Sequence, residues 1–225
     1  QGLRGATYRF PKKSHTGTEA LLLAAVLADG TTILENAGLE PEIDDLITFL
    51  GKMGAQIQRS NDVLTVTGVK ELHGATHTVM SDRNEAVSYA TMAIATRGDI
   101  IVEGARAEHM TAFLQALDRV GGKYDLADYG IRFYYDSPLV ATDVTTAPEP
   151  GFMTDWQPLW TTLMTQAQGT STIIEAVTQH RLAFTDQLNT LGANITYFDP
   201  APADPISFYE FNYPEKVSYP HAVRV

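Results

Sequence analysis

The sequence predicts an α/β protein built from repeated βαβαββ units, and two observations predict it. One pattern is written three times: an apolar helix-like run, a glycine turn, a β-branched strand, a second helix-like run, and a Gly-Ala or Gly-Gly turn. The first copy reads Leu21–Ala28, Gly30, Thr31–Glu35 and Gly54-Ala55. The second reads Tyr89–Ala95, Gly98, Asp99–Glu103 and Gly121-Gly122, and the third Thr161–Ala167, Gly169, Thr170–Glu175 and Gly192-Ala193. The second observation is the spacing. The two glycines of each copy stand 24, 23 and 23 residues apart. A repeat of about seventy residues is a supersecondary unit whose copies bury one another's apolar faces.

Each element has a local reason. Residues 3–9 and 31–36 read as strands, and Thr18–Leu27, rich in Ala and Leu, as the helix between them. Pro41 can open a second helix. Ile43, Leu46, Ile47 and Leu50 then fall on one face of it, and Gly54 suits its C-terminal end. Gln56–Arg59 and Val63–Thr67 form a hairpin around Ser60-Asn61-Asp62. The second copy gives a strand at His77–Met80, a helix at Glu85–Ala95, a strand at Ile100–Glu103 and a helix at Met110–Val120. Its hairpin is Tyr124–Leu126 with Ile131–Tyr135, around Asp128-Tyr129-Gly130. The third gives a strand near Asp143–Thr145, a helix near Gln157–Gln166, a strand at Ser171–Glu175, a helix at Thr185–Leu191 and a strand at Asn194–Tyr197. The Pro- and Ala-rich run from Asp199 to Pro205 reads as an irregular loop. Ile206–Phe211 is expected to complete the last hairpin, and His221–Val225 reads as a strand. Three such copies can group around a pseudo-threefold axis with helices inside, which would account for first helices that are apolar nearly all round.

Composition narrows the function classes. Of 225 residues, 44% are apolar, enough for a core, and no apolar run is long enough to span a membrane. The net charge of −11 argues against non-specific nucleic-acid binding, which wants a basic surface. The absence of cysteine removes disulfides, thiolate metal sites and a cysteine nucleophile, and suits a cytoplasmic protein. Gln1-Gly2-Leu3-Arg4 has neither an initiator Met nor the apolar stretch of a signal peptide, so a fragment or processed piece is expected. Asn194-Ile195-Thr196 matches a glycosylation sequon, a triplet common by chance. His73 and His77 straddle Gly74 in a turn and strand, so no zinc site is expected. Gly121-Gly122 is a turn and no dinucleotide loop.

A denser signal lies in ordered motifs. Phe10-Pro11-Lys12-Lys13-Ser14-His15-Thr16-Gly17-Thr18-Glu19 is followed by Ala28-Asp29-Gly30-Thr31-Thr32-Ile33-Leu34-Glu35-Asn36-Ala37 and by Leu39-Glu40-Pro41-Glu42-Ile43. Then come Ser81-Asp82-Arg83-Asn84-Glu85, Thr146-Ala147-Pro148-Glu149-Pro150-Gly151-Phe152-Met153-Thr154-Asp155, and Glu175-Ala176-Val177 with Arg181. This series resembles the UDP-N-acetylglucosamine 1-carboxyvinyltransferase family of enolpyruvyl transferases over nearly the whole chain. It is weakest after Asp199, where an irregular Pro-rich insertion at about 199–220 is expected. The resemblance implies an inside-out α/β barrel fold of two domains with three βαβαββ units each, and an active site in the cleft between domains. This chain holds three of the six units. Residues 1–80 would be unit 1, at the end of one domain, and 81–225 units 2 and 3 of the other.

The resemblance also implies a chemistry: enolpyruvate moves from phosphoenolpyruvate to the sugar 3-hydroxyl of UDP-N-acetylglucosamine in early peptidoglycan synthesis, releasing phosphate. No metal or other cofactor is implied, nor any nucleic-acid or membrane partner. The missing units of the same protein, or self-association, would complete the assembly. Lys12, Ser14, His15, Thr16 and Gly17 lie between a strand and a helix, where backbone N–H groups and a Lys make a natural anion site or a plain capped loop. The family uses this loop for the nucleotide-sugar diphosphate. Thr154 and Asp155 precede a helix and either would cap it. In the family the matching aspartate meets the sugar hydroxyl as general base. Arg83 suits a carboxylate or phosphate, or pairs structurally with Asp82 or Glu85. Glu42 can face the family site, yet acids are common at helix N-termini. Val177 is expected to touch the nucleotide sugar through its backbone, and Arg181 to be structural or an anion contact. Glu149 stands where the family has histidine, and Leu39 where it has arginine. Two other readings stay open: a non-catalytic nucleotide-sugar-binding module, and an enolpyruvyl transferase for another alcohol; the Lys12–Gly17 loop argues against a shikimate-type substrate. The chain alone is expected not to turn over.

Overall fold

The computed structural model describes residues 2–213 and 220–225. Its chain divides into two units, Gln1–Met80 and Ser81–Val225.

The first unit runs β1 (Thr7–Arg9), α1 (His15–Ala25), β2 (Thr31–Glu35), α2 (Pro41–Lys52), β3 (Gln56–Ser60) and β4 (Val63–Thr67). The sheet order is β1-β2-β4-β3. β1 and β2 are parallel because α1 carries the chain back between them, whereas β3 and β4 are antiparallel across a two-residue tip, Asn61-Asp62. Ser14 takes the cap position of α1 in extended conformation, and its hydroxyl accepts from Gly17 N–H at 3.1 Å. Pro41 opens α2, and Gly54, at φ 100°, follows its end. Leu22, Ala25 and Val26 of the α1 region pack with Leu50 and Val66, while Phe10, Leu34, Ile43 and Leu64 fill the rest of the core. Leu23 and Leu27 stay exposed. Gly68 donates to Gly30 O so close to the chain that a Cβ on it would fall within the carbonyl of Ala28.

His77–Met80 is not a strand, contrary to the sequence expectation. The His77 ring stacks on Phe49 at 5.2 Å, and its Nε2 lies 3.0 Å from Asp45 Oδ1. Those contacts hold the segment on α2, with its backbone outside any sheet.

The second unit begins with α3 (Arg83–Ala95), β5 (Asp99–Glu103), α4 (Thr111–Val120), β6 (Lys123–Ala127) and β7 (Gly130–Tyr134). Its first sheet has the order β5-β7-β6, without a leading parallel strand. The third copy follows as β8 (Val144–Thr145), α5 (Gln157–Met164), β9 (Thr172–Ile174), α6 (Phe184–Thr190), β10 (Thr196–Phe198), α7 (Pro205–Phe208) and β11 (Ala222–Arg224). Its sheet order, β10-β11-β9-β8, repeats that of the first copy, including the parallel pair β8–β9. α3 packs against α5, and its small residues Ala86, Ala90 and Ala93 are buried. Phe113 and Phe152 meet Trp156 and Trp160 edge-on at 5.6–6.1 Å in the same core.

Part of the expected hairpin at Ile206–Phe211 is instead the helix α7. Asp204 accepts from Ser207 N–H at 3.2 Å and Pro205 takes the first helical position, which together start a helix. Of the expected insertion, residues 214–219 lie outside the described residues.

Candidate functional site

The sequence candidates fall into two groups, one on each unit. On the first unit, Lys12 and Ser14 lie between β1 and α1, and His15, Thr16 and Gly17 form the first turn of α1. The Ser14 hydroxyl is committed to the cap, so the capping role is real. The first amides of a helix have no partner within it, and the helix dipole adds positive character there. His15 Nε2 lies 3.3 Å from Glu19 Oε1 without hydrogen-bond alignment. Lys13, beside the candidate Lys12, carries no marker of a role in the sequence. Its ammonium donates to Asp62 Oδ2 at 3.1 Å and to Ala37 O at 3.3 Å, and it holds the Asp62 carboxyl below the usual range. That bond ties the loop to the β3–β4 tip. Glu42 occupies the first turn of α2 as an N-terminal acid. Glu40, just before Pro41, is buried, and its Oε2 has no hydrogen-bond partner among the described residues.

On the second unit the candidates converge. Thr154 and Asp155 lie in a short 3-10 turn, Thr154–Trp156, that leads into α5, and neither side chain caps a helix. The capping alternative therefore falls away. Thr154 Oγ1 donates to Glu175 Oε2 at 2.9 Å and accepts from Arg181 Nη1 at 3.3 Å. Asp155 Oδ1 accepts from Arg181 Nη2 at 2.6 Å, and the Asp155 side chain remains 44% exposed. A pair this open contributes about 0–1 kcal/mol to stability, so its value is orientation. Arg181 thus grips two neighbouring candidates at once.

Glu175 is the hub. It is 1% exposed, and its carboxylate accepts four hydrogen bonds. Thr146 Oγ1 donates at 2.8 Å, Val177 N–H at 2.9 Å and Thr178 N–H at 2.8 Å to Oε1, and Thr154 donates to Oε2. Burial pushes its carboxyl above the usual range, against those amides and hydroxyls, which favour the charged form. Because Val177 N–H is spent on Glu175, only the Val177 carbonyl could serve a ligand from that backbone. Glu175 opens the Glu175-Ala176-Val177 motif and directly follows β9, but nothing local in the sequence gives it this role.

Arg83 is buried at the start of α3. It pairs with Glu149 and donates to His109 O at 3.1 Å, with its guanidinium 5.7 Å from the Trp156 ring centre. Glu149 is thus a carboxylate partner of Arg83, while Asp82 caps α3 by accepting from Asn84 and Glu85 N–H. Next to it, Trp156 Nε1 donates to Asn84 Oδ1 at 2.8 Å. The N-terminus of α3 and the turn that carries Asp155 are therefore held together. Among the described residues no group of three His, Cys, Asp or Glu could hold a metal ion.

A carboxylate oriented by an arginine, next to a threonine hydroxyl and a buried glutamate, can accept a proton from an alcohol. The family model of EPSP synthase (3-phosphoshikimate 1-carboxyvinyltransferase) matches residues 1–208. The chain belongs to this family. Among curated relatives, UDP-N-acetylglucosamine 1-carboxyvinyltransferase of Protochlamydia amoebophila is 42% identical over 88% of the chain and 43% of its own length. The protein of that name in Acidiphilium cryptum is 44% identical over 87% of the chain and 47% of its own length. The chain spans about half the length of the curated relatives it matches. Among solved structures, the enolpyruvyl transferase NikO from Streptomyces tendae superposes on all of the chain and 51% of its own, with a TM-score of 0.78 at 21% identity. EPSP synthase from Acinetobacter baumannii covers 88% of the chain at a TM-score of 0.59. These likenesses establish an enolpyruvyl transferase fold.

Proposed function

We propose that this chain is part of a UDP-N-acetylglucosamine 1-carboxyvinyltransferase, which moves enolpyruvate from phosphoenolpyruvate to the sugar 3-hydroxyl and releases phosphate. The observation that carries the reading is 42–44% identity, over seven-eighths of the chain, to relatives of that name. Asp155 takes the proton from the 3-hydroxyl, and Arg181 and Thr154 aim it. Lys12, Ser14, His15, Thr16 and Gly17 receive the diphosphate, Val177 offers its carbonyl to the nucleotide sugar, Glu42 borders the site, and Arg83 holds the base-bearing turn. The setting is peptidoglycan synthesis in the cytoplasm, and thereby cell-wall biogenesis and cell shape. The domain division at Met80-Ser81 is part of the same reading.

Because the chain spans half of its relatives, phosphate release from the 225-residue chain with both substrates should equal the blank. In a full-length enzyme carrying these residues, Asp155→Asn keeps size and removes the base. Turnover should fall roughly 10²–10⁴-fold, with a smaller effect on UDP-sugar affinity. Unchanged turnover would sink the role of Asp155. Shikimate 3-phosphate should not compete with the UDP-sugar in calorimetry, and competition would favour the other-alcohol reading.

A further inference from the structure

In all three copies, the tip that joins the last two strands touches the loop after the second strand. In the first copy Ala37 N–H donates to Asp62 O at 2.9 Å, and in the second Gly104 N–H donates to Tyr129 O at 2.8 Å. Both tips are two residues long, Asn61-Asp62 and Asp128-Tyr129. In the third copy the tip grows to residues 199–221. The described part of this tip has a core of its own. Tyr209 is fully buried, and its ring stacks on Phe211 at 4.8 Å and Tyr213 at 5.0 Å, with His221 at 4.8 Å.

The described part of the enlarged tip bonds to the loop after β9. Glu210 N–H donates to Ala176 O at 2.7 Å, and Glu175 N–H donates to His221 O at 2.7 Å. Gln179 Nε2 donates to Asn212 O at 3.2 Å. These three hydrogen bonds fall on the 175–181 loop, which carries Glu175, Val177 and Arg181. We propose that the enlarged tip is a positioning element: its aromatic stack, centred on Tyr209, fixes the backbone of the 175–181 loop and so holds the Val177 amide on Glu175 and Arg181 on Asp155. The link to a nucleotide sugar rests on the functional reading above. The fixing of the loop does not.

The phenolic oxygen of Tyr209 has no hydrogen-bond partner among the described residues, so the ring carries the role and the hydroxyl does not. Hydrogen exchange on the ligand-free chain separates bracing from general stability. Its readouts are the amides of Val177 and Thr178 against those of α5. Tyr209→Phe should exchange as wild type. Tyr209→Ala should speed the two loop amides about tenfold while α5 holds its protection. Should Tyr209→Ala fail to fold, Glu210→Pro removes the N–H bonded to Ala176 O. Tyr209, at φ −90° and ψ 140°, already has the conformation a following proline requires. That variant should loosen the same two amides. Loop amides that do not change in the folded variants, or that speed up only in step with α5, overturn the brace. A parallel titration with UDP-N-acetylglucosamine in a full-length enzyme tests the other half. A loosened loop with undiminished affinity would overturn the link to the site, and a wild-type enzyme that does not bind would overturn the functional reading alone.

Discussion

At the scale of single residues, Glu175 decides most. Its position at the end of a strand is unremarkable in sequence, because periodicity reports which face a residue lies on and nothing of partners far along the chain. Thr146 and Thr154 reach it from 29 and 21 residues away. Asp155 and Arg181 were each legible as motif residues, but their pairing was not, for the same reason. The raised carboxyl of Glu175 fixes the sign of a pH effect. A group that binds its proton more tightly when folded contributes stability that is fully present below its unfolded value of 4.5 and is lost as pH rises through the higher folded one. Glu175→Gln is neutral throughout. The melting temperature of wild type minus that of Glu175→Gln should therefore fall as pH climbs from about 4.5. A difference that grows with pH would contradict the burial seen here.

At the scale of elements, glycine turns and apolar periodicity located the helices and most of the strands, because those signals are local. The two misreadings came from capping and packing. Asp204-Pro205 is a helix start written in the sequence, and it outweighs the β-like run that follows. At His77 the contacts with Phe49 and Asp45, both on α2, outweigh strand propensity, and a lone segment shows neither partner. The join between α3 and the turn before α5 depends on Arg83 and Glu149. Removing the carboxylate takes a close negative partner from a guanidinium that is 1% exposed. Glu149→Gln should therefore cost about 3 kcal/mol, read as a lower urea midpoint at unchanged slope. A midpoint within error of wild type would show that other contacts of Arg83 suffice.

At the scale of the molecule, each of the two units has a core of its own. Residues 71–82 between the last strand of one and the first helix of the other carry no helix or strand, and Val79 is 73% exposed. Limited proteolysis should cut there first and leave two fragments that each melt cooperatively. Cleavage elsewhere, or a fragment that loses its structure, would count against independent units. Packing at Gly68 also shapes the mutational landscape of the whole chain. In a library that replaces every position in turn, Gly68 should be among the least tolerant sites, since any Cβ there collides with a carbonyl that has nowhere to retreat. Gly51, inside α2 with open space where a Cβ would stand, should accept alanine with a gain of about 0.5–1 kcal/mol. Two glycines seventeen positions apart would then mark opposite ends of the fitness distribution, one barred by a neighbouring backbone and one merely unoptimised.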